Sequence, residues 1–82
     1  MTSFTAHVSV MPKGGVADPQ GQTIEGALPA LGYTGVRDVR VGKRIELQLD
    51  AADESEARHR VVEMCEKLLA NPVIESYEVT IQ

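Results

Sequence analysis

The sequence contains no tryptophan, one phenylalanine and two tyrosines. Proteins that grip single-stranded nucleic acid by stacking its bases need aromatic platforms, and few are available here. Cys65 is the only cysteine, so no internal disulfide can form; this suits a reducing compartment. His7 and His59 are the only imidazoles, and neither C-x-x-C nor H-x-x-x-H spacing occurs, so the usual signature of a metal site is missing. No apolar run approaches the roughly 20 residues needed to span a bilayer. The opening Met1-Thr2-Ser3-Phe4-Thr5 has neither a basic start nor a long apolar stretch and reads as lacking a secretory signal. Basic residues are the minority, 8 against 12 acidic, for a net charge of −4. That balance disfavours non-specific attachment to nucleic acid or anionic lipid. The expectation is a cytoplasmic protein with no nucleic-acid, membrane or metal partner.

What is present is an ordinary globular mix, 43% hydrophobic and 24% charged over 82 residues. The chain reads as a single domain, 1–82. A domain of this size buries only about 60% of its unfolded surface, so self-association is expected to supply the remaining stability. Phe4, Ala6, Val8 and Val10 alternate with Thr5, His7, Ser9 and Met11, the period of a half-buried strand. Pro12-Lys13-Gly14-Gly15 ends it. Asp18-Pro19 reads as a helix cap and first turn, and Ile24, Ala27, Leu28 and Leu31 form an apolar stripe ahead of Gly32. Pro29 conflicts with a continuous helix, and a kink or early end is expected near 25–29.

Val36 to Asp50 reads as a hairpin. Val39 and Val41 lie on one arm, Ile45, Leu47 and Leu49 on the other, and Gly42-Lys43 at the turn. Asp53 and Glu56 make a capping box for a second helix, whose inner stripe is Ala57, Val61, Met64, Cys65 and Leu68. Asn71-Pro72 stops it, with Asn71 expected in a left-handed conformation and Val73 and Ile74 packing back on the core. Glu75–Gln82 alternates as a last strand. The order β-α-β-β-α-β predicts an α+β, ferredoxin-like sandwich: an antiparallel sheet with two helices on one face. The opposite sheet face then carries Thr5, His7, Arg44, Glu46, Gln48, Glu78 and Thr80. It has no aromatic, which disfavours an RNA-recognition domain. It reads either as a solvated face or as a polar self-association surface.

No catalytic constellation stands out. The serines lack a nucleophile elbow, and the carboxylate pairs Glu54–Glu56 and Glu63–Glu66 fall on a polar helix face. His7, His59 and Cys65 are expected on different surfaces. Three features suit contact with a partner. Lys13, Gly14, Gly15, Asp18, Gln20 and Gly21 lie in a glycine-rich loop entering a helix, though the phosphate-loop motif is absent and Asp18 would repel an anion. Arg37, Arg40, Lys43 and Arg44 place half of the basic residues within eight positions. The first helix's outward residues Gln22, Glu25, Gly26 and Pro29 are small or nearly uncharged, as interface residues often are.

The segments P-K-G-G-V-A-D-P-Q-G, V-R-V-G-K-R-I-E-L and M-C-E-K-L-L-A-N-P-V-I-E resemble, in that order, the PurS family, the small subunit of phosphoribosylformylglycinamidine synthase. The resemblance runs from about Val8 to Tyr77, with Pro29 departing from it. It implies a βαββαβ sandwich acting in purine biosynthesis. In that ligase a large synthetase subunit uses ATP and Mg, and a glutaminase subunit releases ammonia. The small subunit binds no cofactor, carries no catalytic residues, forms a homodimer or homotetramer, and bridges the other two. On this reading Lys13, Gly14, Gly15, Asp18, Gln20, Gly21, Arg40, Lys43 and Arg44 belong to the partner-facing surface. The alternative is a small-molecule-binding regulatory module of the same fold, holding a ligand at Gly14–Gly15. An acylphosphatase-like enzyme is disfavoured, because the first loop offers Lys13 where an arginine is wanted.

Overall fold

The computed structural model describes all 82 residues. Strand β1 (Thr2–Pro12) is followed by helix α1 (Pro19–Ala27), strand β2 (Lys43–Ala51), helix α2 (Glu54–Met64) and strand β3 (Glu75–Ile81). The sheet is three-stranded and antiparallel in the order β2-β1-β3. Alternation in β1 turns Ala6, Val8 and Val10 into the core, where each is at most 1% exposed. They meet Leu49 and Ala51 of β2, Ile81 of β3 and Ala57, Val61 and Cys65 of the second helical segment. Each fully buried valine there contributes about 1.5–3 kcal/mol of apolar burial.

Asp53 caps α2 by accepting the Glu56 N–H at 2.8 Å. Asp18 caps α1 by accepting the Gly21 N–H at 3.0 Å, with Pro19 in the first turn. The Pro29 conflict resolves as the sequence predicts. The α-helix ends at Ala27, a 3₁₀ turn runs from Leu28 to Leu31, and Gly32 closes it at φ 93°.

The α+β, ferredoxin-like class holds, with four departures from the expected detail. First, Val36–Val41 is not a strand of this sheet, so the expected hairpin is absent. Asp38 adopts φ 59°, which breaks an extended run. The Val39 and Val41 N–H groups are held by Glu25 and Asp18 carboxylates instead of a strand. Second, α2 alone covers the sheet. Helix α1 packs against its own 3₁₀ continuation, and residues 13–42 form an arm that stretches the molecule to 52 × 25 × 15 Å.

Third, the inner stripe of the second helix slips. Cys65–Leu69 forms a π-turn, with the Ala70 N–H donating to the Cys65 carbonyl at 3.1 Å. Its extra residue rotates Leu68 out to 82% exposure and brings Leu69 against the core. Fourth, Asn71 is not left-handed. Its side-chain oxygen accepts the Val73 N–H and its carbonyl accepts the Ile74 and Glu75 N–H groups, leaving Val73 and Ile74 exposed.

Candidate partner interface

The arm is held together by backbone groups that find side-chain acceptors. Both Asp18 oxygens are used, one by the Gly21 N–H and the other by the Val41 N–H at 2.8 Å. These two bonds, together with the Arg40 charge, hold the Asp18 carboxyl below the ordinary value of 3.8. Glu25, two helical turns on, accepts the Val39 N–H at 3.0 Å. A side chain at Gly21 would collide with the Val39 carbonyl and with Asp18, so the close approach of α1 to residues 39–41 requires glycine.

This clamp gathers part of the predicted surface. Lys13, Gly14, Gly15, Asp18 and Arg40 line one shallow hollow with Gln22 and Asp38. Its two cations face two carboxylates, and Asp18 occupies the helix N-terminus, so the hollow is not a phosphate cradle. The Lys13 ammonium donates to the Pro72 carbonyl at 2.6 Å, and the Lys13 N–H donates to Ile74 at 2.9 Å. Lys13 thus ties the loop to the turn before β3 as well as being exposed. Gln20 lies in a second, more apolar hollow with Pro19, Thr23, Ile24 and Val41. Gly21 is buried against Asp18 and the Val39 carbonyl and lines neither hollow.

Lys43 and Arg44 line neither hollow and stand at the start of β2. Arg44 lies on the open sheet face, where its guanidinium donates to His7 Nδ1 at 2.9 Å. Arginine can only donate, so Nδ1 is the acceptor in this contact, and Nε2 faces Gln82 Oε1 at 3.2 Å. His59 is on the outer face of α2 beside Glu63, and Cys65 is buried, so the three candidate ligands lie in different places. Burial, with Glu66 nearby, raises the Cys65 thiol above its ordinary value.

Two features escaped the sequence reading. Glu25, expected on a bland outward face, uses its carboxylate as a clamp, and its spacing of seven from Asp18 is the signal for it. The Tyr77 hydroxyl donates to Glu66 Oε2 at 2.6 Å, and that bond pushes the phenol up to about 12. The apolar stripe of the first helix also has no cover within the chain. Ile24 is 44% exposed and Leu31 71%, and Tyr33 and Val36 follow them into solvent. An arm built around a rigid clamp, with apolar residues facing outward, is suited to contact another protein surface.

The sequence pattern that defines the family PurS, phosphoribosylformylglycinamidine (FGAM) synthase, matches residues 5–82. The chain belongs to the PurS family. The FGAM synthase subunit PurS of Mycobacterium leprae is 50% identical over 76 residues, covering 92% of this chain and 91% of that one. The subunit of Methanocaldococcus jannaschii is 40% identical over 79 residues, covering 96% and 95%. The crystal structure of that archaeal PurS superposes with a TM-score of 0.83. A chain in the structure of PurLQS from Thermotoga maritima superposes with a TM-score of 0.89 at 38% identity, each chain covered completely. PurS relatives from bacteria and archaea therefore share the whole length of this fold, the arm included.

Proposed function

We propose that this chain is the small, non-catalytic subunit of an FGAM synthase. It joins a synthetase subunit and a glutaminase subunit and supports glutamine-dependent formation of FGAM in purine biosynthesis. The supporting observation is the family match over residues 5–82 together with full-length superposition on a chain from a PurLQS structure. ATP and Mg belong to the synthetase subunit on this reading, and the assembly works in the cytoplasm. No helix of the chain is long and apolar enough to cross a membrane.

The surface offered to the large subunit is the clamped arm: Lys13, Gly14, Gly15 and Arg40 around one hollow, and Gln20 beside Ile24 in the other. The protein also self-associates as a homodimer or homotetramer, because its buried core is only ten residues. The test is reconstitution with the synthetase and glutaminase subunits of the same source, with product formation measured from glutamine and from free ammonia. Omitting this chain abolishes the glutamine-dependent reaction and spares the ammonia-dependent one. Equal glutamine-dependent rates with and without it would overturn the reading.

A further inference from the structure

The hollow between the first loop and the far end of the arm carries charge of both signs that is not spent within the chain. Lys13 and Arg40 stand on it with Asp18 and Asp38. Opposite charges on exposed side chains ordinarily find one another when their backbones allow it. Here they do not, and the ion pairs of the chain all fall within residues 54–67. The reason is that these groups are anchored elsewhere. The Lys13 ammonium is drawn to the Pro72 carbonyl at 2.6 Å, and both Asp18 oxygens are taken by the Gly21 and Val41 N–H groups. Arg40 lies between Val39 and Val41, whose N–H groups are held by Glu25 and Asp18. Asp38 is the one non-glycine residue with a positive φ, 59°, a conformation that aspartate and asparagine tolerate better than other side chains.

What remains unused is specific. Lys13 keeps ammonium hydrogens beyond the one given to Pro72, and Arg40 keeps its whole donor fork. The Gly14 and Gly15 N–H groups have no acceptor in the chain, because the turn there is closed by the Val16 N–H on the Lys13 carbonyl at 3.2 Å. On the acceptor side the Asp38 carboxylate has no partner. The hollow encloses about 350 Å³, within the roughly 300–1,000 Å³ of small-ligand sites. An anion alone would be set beside two carboxylates, and a cation alone beside two cations. A small molecule with one charge of each sign meets neither repulsion. Groups already held apart need no reordering when it arrives, and that preorganisation lowers the cost of binding.

We propose that this hollow binds a free α-amino acid as its zwitterion, with Arg40 and Lys13 donating to the carboxylate and Asp38 accepting from the ammonium. Val16 and Gln22, on the same hollow, are left to meet the side chain. Arginine suits the first role because its fork matches a carboxylate with two parallel bonds. The site goes beyond the subunit reading and does not rest on it, because binding is a property of this chain alone.

Glycine is the probe, because it is the part that every α-amino acid shares. It is titrated into the full-length chain at constant pH and ionic strength, with amide NMR shifts as the readout. The Gly14, Gly15, Asp38 and Arg40 amides shift together and saturate with a Kd of about 1 mM, while the amides of β2 and β3 stay still. Acetate and methylammonium each carry one of the two charges and bind at least about tenfold more weakly. Charge variants then reverse the preference. Asp38→Asn keeps a residue that accepts the left-handed backbone; it weakens glycine binding about tenfold and binds acetate more tightly than the wild type does. Arg40→Gln weakens glycine binding likewise and binds methylammonium more tightly. A variant that had merely lost its fold would gain neither ligand, and its β2 and β3 amides would report the loss. The proposal is overturned by the absence of a saturable shift with glycine. It is overturned equally by acetate or methylammonium binding as tightly as glycine, or by variants that bind glycine as the wild type does. Reconstitution with the synthetase and glutaminase subunits tests the subunit reading separately, so either can fail alone.

Discussion

Leu68 and Leu69 are adjacent, chemically identical and separated in consequence by the π-turn. A continuous α-helix would carry the buried series Ala57, Val61, Cys65 on to Leu68. The turn's extra residue places Leu68 82% exposed and packs Leu69 against the core. Leu69→Ala removes three carbons at about 0.8 kcal/mol each when fully buried; since Leu69 keeps some exposure, the expected loss is about 2 kcal/mol. For a domain of 60–100 residues each kcal/mol moves Tm by about 4–8 °C, so the midpoint falls by roughly 8–16 °C. Leu68→Ala changes stability by no more than about 0.5 kcal/mol, or under roughly 4 °C. Both variants are compared with the wild type by thermal and urea unfolding followed by circular dichroism. All are held at one protein concentration, because self-association makes Tm concentration-dependent. The reverse order, with Leu68→Ala the costly change, would refute the π-turn and restore the straight helix.

Other outcomes follow from the clamp and from Tyr77. Asp18 has its carboxyl lowered by the Gly21 and Val41 N–H groups, so its contribution is present above the ordinary carboxylate range and is lost as pH falls through the lowered value. Asp18→Asn is therefore less stable than wild type at pH 7, and urea titrations show the gap closing on acidification. Gly21→Ala drives a methyl into the Val39 carbonyl and frees the arm; limited proteolysis then cuts within 33–42 at protease levels that leave the wild type intact. The Tyr77 phenol is raised to about 12 by its bond to Glu66, so the stability it brings is complete below pH 10 and fades as pH rises through 12. Tyr77→Phe removes the phenolate absorbance step near 12, and a variant spectrum that keeps that step would refute the assignment.

Much of the frame was readable because local signals and global packing agreed. The alternation of Phe4–Met11 and Glu75–Gln82, the caps at Asp18 and Asp53, and the helix stop at Pro29 each state a preference that the fold satisfies. The slip at Leu68 was not readable, because the π-turn is the last turn of the helix and no periodic residues follow it to reveal the shifted phase. The placing of Lys43 and Arg44 outside both hollows was also hidden. Lys43 and Arg44 begin β2 beside Val10 and Ser9 of β1, and neither lines the hollows that hold Lys13 and Gln20.

The Val36–Val41 segment shows what periodicity can and cannot specify. Its alternation of valines with charged residues is a true strand signal, since Val39 and Val41 do present their N–H groups to one side. The signal says that the segment has two edges to satisfy and is silent about which groups will satisfy them. Within the chain, Asp18 and Glu25 answer for one edge and the left-handed Asp38 limits its length. The segment then leads directly into β2 at Lys43. A hairpin would have folded the segment back against β2 and hidden that strand's edge. The clamp instead holds the segment against Asp18 and Glu25 of the first helical segment. The same residues that frustrate the expected fourth strand thereby leave β2 at the margin of the sheet.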